Sequence, residues 1–158
     1  MTSTLAWPTA FAAGMRTGGA IALAIGGAHF LLPTLGYDQD LLRSIPKVPR
    51  DHFVYLGTYA IGIFLVIAGV MSLFFAQVRG GPGAKLFAGA QAAFWAARII
   101  LELIFPSRLK IFFLSDPPIA LCAASTVACA GYAVAFIAAT QARSVAAAQR
   151  AATPDRTA

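Results

Sequence analysis

Arg98 and Glu102 stand inside an otherwise almost wholly apolar run, LFAGAQAAFWAARIILELIFP at 86–106. At 3.6 residues per turn, Gln91, Trp95, Arg98 and Glu102 fall at i, i+4, i+7 and i+11 and share one stripe of a helix. A charge at membrane depth costs about 2.5–3.5 kcal/mol on insertion scales, so such residues face a protein interior or a watery cavity and find a partner. Three roles are open to the pair. It can neutralise itself as an i,i+4 ion pair that only fixes packing, although base before acid is the weaker order. It can bind the polar or redox group of a ligand, or move a proton. It can also contact another subunit.

The remaining polar side chains extend this pattern. His29 closes a stripe of Gly18, Ala22 and Gly26, a small-residue seam that invites close helix approach. Tyr55, Thr58, Gly62, Gly69 and Ser72 form a second stripe, with Tyr59 beside it and His52 at its start. Cys122, Ser125, Cys129 and Tyr132 form a third. At ~1.5 Å per residue, His29, Tyr59, Arg98–Glu102 and Ser125 come to one level in the outer half of the bundle. Tyr55 and His52 lie further out. A His29–Glu102 pair at that level would orient the imidazole and raise its basicity. Taken alone, His29 reads equally well as a helix–helix hydrogen bonder, and His52 as an interfacial residue. The depth difference between the two histidines argues against haem ligation, and with one nearby glutamate they are too few for a metal site. No nucleophile–base set, phosphate loop or metalloprotease motif is present.

The elements that must position these residues follow from composition. The chain has 158 residues, 59% hydrophobic and only 11% charged, with mean hydropathy +0.74. Soluble domains carry about 25% charged residues. Four apolar segments, at about 13–34, 53–77, 86–105 and 118–140, are each long enough to cross ~30 Å of hydrocarbon. The expectation is an all-α membrane protein, one domain over 1–158, folded as an antiparallel bundle of four transmembrane helices with a tail at 141–158. Residues 1–12 read as a short interfacial lead carrying Trp7 and Phe11, with no charge ahead of the apolar run and hence no cleaved signal peptide.

The connections are short. GYDQDLLRSIPKVPRDH (36–52) carries three acids, three bases and two prolines and reads as an ordered surface loop. VRGGPGAK (78–85) reads as a tight turn that makes the second and third spans neighbours. SRLKIFFLSDPP (107–118), with Arg108, Lys110, Phe112 and Phe113, suits a segment lying in the interface. Asp116 and the prolines after it mark the start of the fourth span. Cys122 and Cys129 lie ~10 Å apart along one helix, too far for a disulfide.

The net charge of +6 belongs to loops and tail, where it fits membrane topology and anionic headgroups better than nucleic acid. Arg16, Arg79, Lys85, Arg143, Arg150 and Arg156 fall on one side and Arg43, Lys47, Arg50, Arg108 and Lys110 on the other, a margin of one residue. Together with the short basic connection at 78–85, this places both termini in the cytoplasm of a cell inner membrane.

Arg16 followed by GGAIALAIGGAHFLLP (18–33) resembles the opening helix of the DoxX-like small membrane proteins. That resemblance implies a four-helix bundle that partners membrane redox systems, some members being associated with quinone or sulfur-compound oxidation. The 36–52 loop and the Arg98/Glu102 stripe have no counterpart in that pattern.

Two functions follow as expectations. The first is a redox-associated inner-membrane protein that binds a small amphiphilic, quinone-like ligand. Its head would meet His29, Arg98 and Glu102, with Tyr55 and Tyr59 as hydrogen-bond partners and Trp95 as an apolar wall. The second is a non-catalytic accessory or assembly subunit whose glycine seams and aromatic faces dock a larger complex or a second copy. A small transporter ranks last, because inverted repeats and broken helices are missing from the pattern.

Overall fold

The computed structural model describes residues 6–78, 81–107, 110–112, 114 and 116–152. Its elements are α1 (Ala6–Leu31), a π-helical segment (Leu32–Gly36), α2 (Gln39–Ser44), a single turn α3 (Lys47–Pro49), a second π-helical segment (Arg50–Leu56), α4 (Gly57–Val78), α5 (Pro82–Ile104) and α6 (Pro117–Ala152). Among the described residues, four helical stretches are long and apolar enough to cross a membrane: Trp7–Gly36, Lys47–Val78, Gly83–Ile104 and Pro117–Ala142. They fit a multi-pass membrane protein. Only 22–33% of the residues in their most apolar windows are buried inside the protein, so each span turns most of its surface outward, toward lipid in a bilayer.

Lipid is as apolar as leucine, so helices in a membrane associate by close packing rather than by hydrophobic exclusion. The described core is accordingly built from small residues, Ala22, Ala76, Ala84, Ala88, Ala128, Ala135 and Ala138, around a few large ones, Met15, Leu65, Trp95 and Tyr132. α1 packs along α4 and along α6, and α5 packs along α6. The glycines of α1 serve both partners. A Cβ at Gly14 would collide with the Gly131 carbonyl of α6, and one at Gly18 would lie 2.5 Å from the Tyr132 ring. On the other side, a Cβ at Gly19 would lie 2.8 Å from Ser72, and one at Gly26 2.9 Å from Leu65, both on α4. The seam expected through Gly18, Ala22, Gly26 and His29 is therefore two seams, one facing each neighbour.

α4 and α5 meet differently. They touch through rings, Phe64 with Phe94 at 5.3 Å and Phe75 with Phe87 at 5.3 Å between centroids. Large side chains make this contact, where glycines bring α1 against α4. Gly81 has φ 127°, a conformation that favours glycine, and Pro82 opens α5.

The first helix begins at Ala6 rather than 13, and Pro8 fits its first turn. Phe11 and Ala12 are core residues and Trp7 and Ala10 pack against that core, so this stretch joins the bundle as part of α1. The 36–52 stretch holds α2, capped by Asp38, whose side chain accepts from the Asp40 and Leu41 N–H groups. α6 starts at Pro117 behind Asp116, whose carbonyl accepts from Ala120 N. Both cysteines are free thiols. Of the expected interfacial residues, Arg108 and Phe113 lie outside the described residues, as do Arg79 in the turn and the tail beyond 152.

At one end the loops meet. Phe112 N donates to the Gly36 carbonyl at 2.8 Å, and Tyr37 bridges to Ile111. The two π-helical segments lie in the loop region at this same end. Extra residues of this kind recur at functional sites, because they turn side chains out of register with the helix that carries them.

Candidate functional site

The site lies at this capped end, where α5 runs out. Glu102 is almost completely buried, 2% exposed, and sits in the last turn of α5. A carboxylate there opposes the helix dipole, whose C-terminal end is already negative. Two interactions offset this. Arg98 Nη2 stands 2.6 Å from Glu102 Oε2, and Ser107 N donates to Glu102 Oε1 at 2.7 Å, with Ser107 Oγ donating to Oε2 at 3.4 Å. The ion pair thus forms within one helix, and the carboxylate also fastens the chain that leaves it.

Arg98 is not closed off by this pairing. Its side chain is 33% exposed, and a guanidinium carries five donors. His29 Nδ1 donates to the Ile25 carbonyl at 2.7 Å. A carbonyl can only accept, so Nδ1 carries the proton in the neutral ring and Nε2 is the position that can take up another. The expected His29–Glu102 pair does not form: both carboxylate oxygens are engaged by Arg98 and Ser107, and the imidazole bonds to its own helix.

The other expected residues separate by role. Tyr59 stacks on Phe30 at 6.2 Å, beside His29 in sequence and across the α1–α4 seam. The His29 Cβ lies against Gly62, 3.0 Å from where a Cβ would stand there, which puts His29 and Tyr59 at one level. Tyr55 is half-buried on the second π-helical segment. His52 is exposed and bonds to the Val48 carbonyl at 3.2 Å, within its own loop. Among the described residues, no three His, Cys, Asp or Glu side chains gather as metal ligands would.

Trp95 is buried, 2% exposed, and lies edge-to-face on Phe94 at 5.4 Å. It also carries a polar atom that sequence reasoning passed over. Trp95 Nε1 and Gln91 Oε1 are both buried and have no hydrogen-bond partner among the described residues. Each such atom costs about 1–3 kcal/mol when left unpaired. The position of Gln91 on the Trp95–Arg98–Glu102 stripe was the available signal. Nothing comparable pointed to Ser107, or to the Tyr132 hydroxyl, which meets Ser72 Oγ at 2.7 Å in the core while Ser72 donates to the Ala68 carbonyl.

Comparison with protein-family models, with curated proteins and with solved structures returned no match.

Proposed function

We propose that the chain is a single membrane domain, an antiparallel up-down-up-down bundle in a cell inner membrane with both termini cytoplasmic. In this reading it binds a small amphiphilic, quinone-like ligand at the polar layer of its outer half and serves a membrane redox system. Contacts whose numbers rise along α1 as they fall along α4, Gly19 with Gly69 and Gly26 with Gly62, support the antiparallel arrangement. The likeness of the first helix to DoxX-like proteins is in keeping with the redox association.

One observation carries the ligand reading. Arg98 lies in a span, its partner Glu102 is fully engaged, and a third of the arginine side chain is still open. A guanidinium so placed donates to a carbonyl, hydroxyl or anionic head group. His29 Nε2 exchanges the proton, Tyr55 and Tyr59 supply hydroxyl groups, and Trp95 bounds the apolar side. The test is native purification in mild detergent with mass spectrometry and an absorption spectrum of the extract. A stoichiometric amphiphile that is lost in Arg98→Leu, with the variant still in the membrane, is the expected result. Equal ligand content in the variant would overturn the reading.

A second reading, a non-catalytic accessory subunit, draws on the self-contained character of the Arg98–Glu102–Ser107 cluster, which fixes the end of α5 without any ligand. Partner subunits arriving in fixed ratio in the same preparation, with no amphiphile, would favour it.

A further inference from the structure

Gln91 and Trp95 are one turn apart on the buried stripe of α5, and their side chains are neighbours at i,i+4. Gln91 is 5% exposed and Trp95 2%. The first presents an acceptor, Oε1, and the second a donor, Nε1–H, and neither has a partner among the described residues. Away from water, such groups persist only where something satisfies them. The pair is complementary to a single chemical group. A hydroxyl donates to Gln91 Oε1 and accepts from Trp95 Nε1. An ether or carbonyl oxygen serves the indole alone, and an ammonium serves the amide oxygen alone.

The surroundings give such a group a route. α1 is sealed to α4 and to α6 by glycine contacts that leave no room even for a methyl group. Between α4 and α5 the contacts are aromatic rings, Phe64 on Phe94 and Phe75 on Phe87. Rings move by side-chain rotation, whereas a glycine seam opens only if helices separate. Phe64 is exposed on the outer surface, and Phe94 lies edge-to-face on Trp95. Displacing the Phe64–Phe94 pair therefore uncovers Trp95 toward the bilayer.

We infer that Gln91 and Trp95 form a hydrogen-bonding site for the hydroxyl of a membrane amphiphile, a phenol or hydroquinone on an apolar tail, admitted between α4 and α5 past Phe64 and Phe94. This rests on the ligand-binding reading and adds to it the head-group chemistry and the side of entry. It sets the hydroxyl one turn deeper than Arg98, and it favours the hydroxyl form of a quinone-like head over the carbonyl form.

The chain has two tryptophans, so Trp7→Phe leaves Trp95 as the sole indole reporter. Decylhydroquinone, kept reduced, and its dimethyl ether are titrated into the intact protein in mild detergent. The hydroquinone is expected to change Trp95 emission saturably, with the ether at least tenfold weaker. Gln91→Leu and Gln91→Met, each in the Trp7→Phe background, should weaken the hydroquinone at least tenfold. Ether binding as tight as hydroquinone, or full affinity in both Gln91 variants, would overturn the inference. If affinity survives in the Gln91 variants but falls in Arg98→Leu, this site is wrong while the wider ligand reading stands. No saturable response to either probe also overturns it.

Discussion

Glu102 occupies a position hostile to a carboxylate: buried, in the apolar part of the chain, at the negative end of a helix. It is tolerable there because Arg98 and the Ser107 N–H both engage it. Removing one partner of such a pair is worse than removing both, since the survivor is left charged and unpaired. Glu102→Gln is therefore expected to destabilise the protein by about 1–3 kcal/mol, the range for stranding a buried partner, moderated by the exposure of Arg98. Arg98→Met with Glu102→Leu should recover much of that loss. Unfolding titrations in mixed micelles on Glu102→Gln and on the double variant check this; a double variant less stable than Glu102→Gln would show the cluster to be more than a packing device. The stripe from Gln91 to Glu102 was legible in the sequence, because helical periodicity alone puts those residues on one face. The role of Ser107 was not. It depends on the chain turning back after Phe105, and the composition of 107–118 gives no such turn.

At the scale of elements, the spans were legible and their neighbours were not. Hydropathy marks each long apolar run without regard to what it packs on. Pairing depends on which small residues happen to face each other, and the Gly14 and Gly18 contacts with α6 have no sequence separation to announce them. Gly26 and Gly27 make the distinction concrete, since adjacent and identical residues have opposite surroundings. A Cβ at Gly27 meets nothing within 4 Å, whereas one at Gly26 meets α4, and one at Gly14 meets the backbone of α6. Gly27→Ala should leave stability unchanged or raise it by about 0.5–1 kcal/mol through the backbone entropy of glycine. Gly14→Ala and Gly26→Ala must push helices apart and should lower it, with Gly14 the more severe because its Cβ would come closer to the Gly131 carbonyl than one at Gly26 comes to any atom of α4. Thermal unfolding of the three variants in one detergent reads the order directly. A Gly27 variant as damaged as Gly14 would mean that α1 packs on a face other than the one described.

For the molecule as a whole, the capped end and the opposite end differ in what they can do. The loops joined by Phe112 N and Gly36 O cover the end that holds His29, Arg98 and Glu102, so that end is where a polar group from water would arrive. Which compartment this end faces is set by a margin of one basic residue, because acids contribute little to topology. The proposed orientation puts the capped end outside and the end of α6 in the cytoplasm. Ser44 at the end of α2 and Ser144 on α6 are both exposed and mark the two sides. In a background with Cys122→Ala and Cys129→Ala, Ser44→Cys should react with a membrane-impermeant maleimide on intact cells, and Ser144→Cys only after permeabilisation. The reverse pattern would invert the molecule and place the Arg98 layer on the cytoplasmic side. Labelling of both sites in intact cells would contradict the even number of crossings itself. A margin this narrow also implies that orientation is easily tipped: neutralising Arg79 and Lys85 together should yield a mixed population, with Ser44→Cys reacting in only a fraction of the chains.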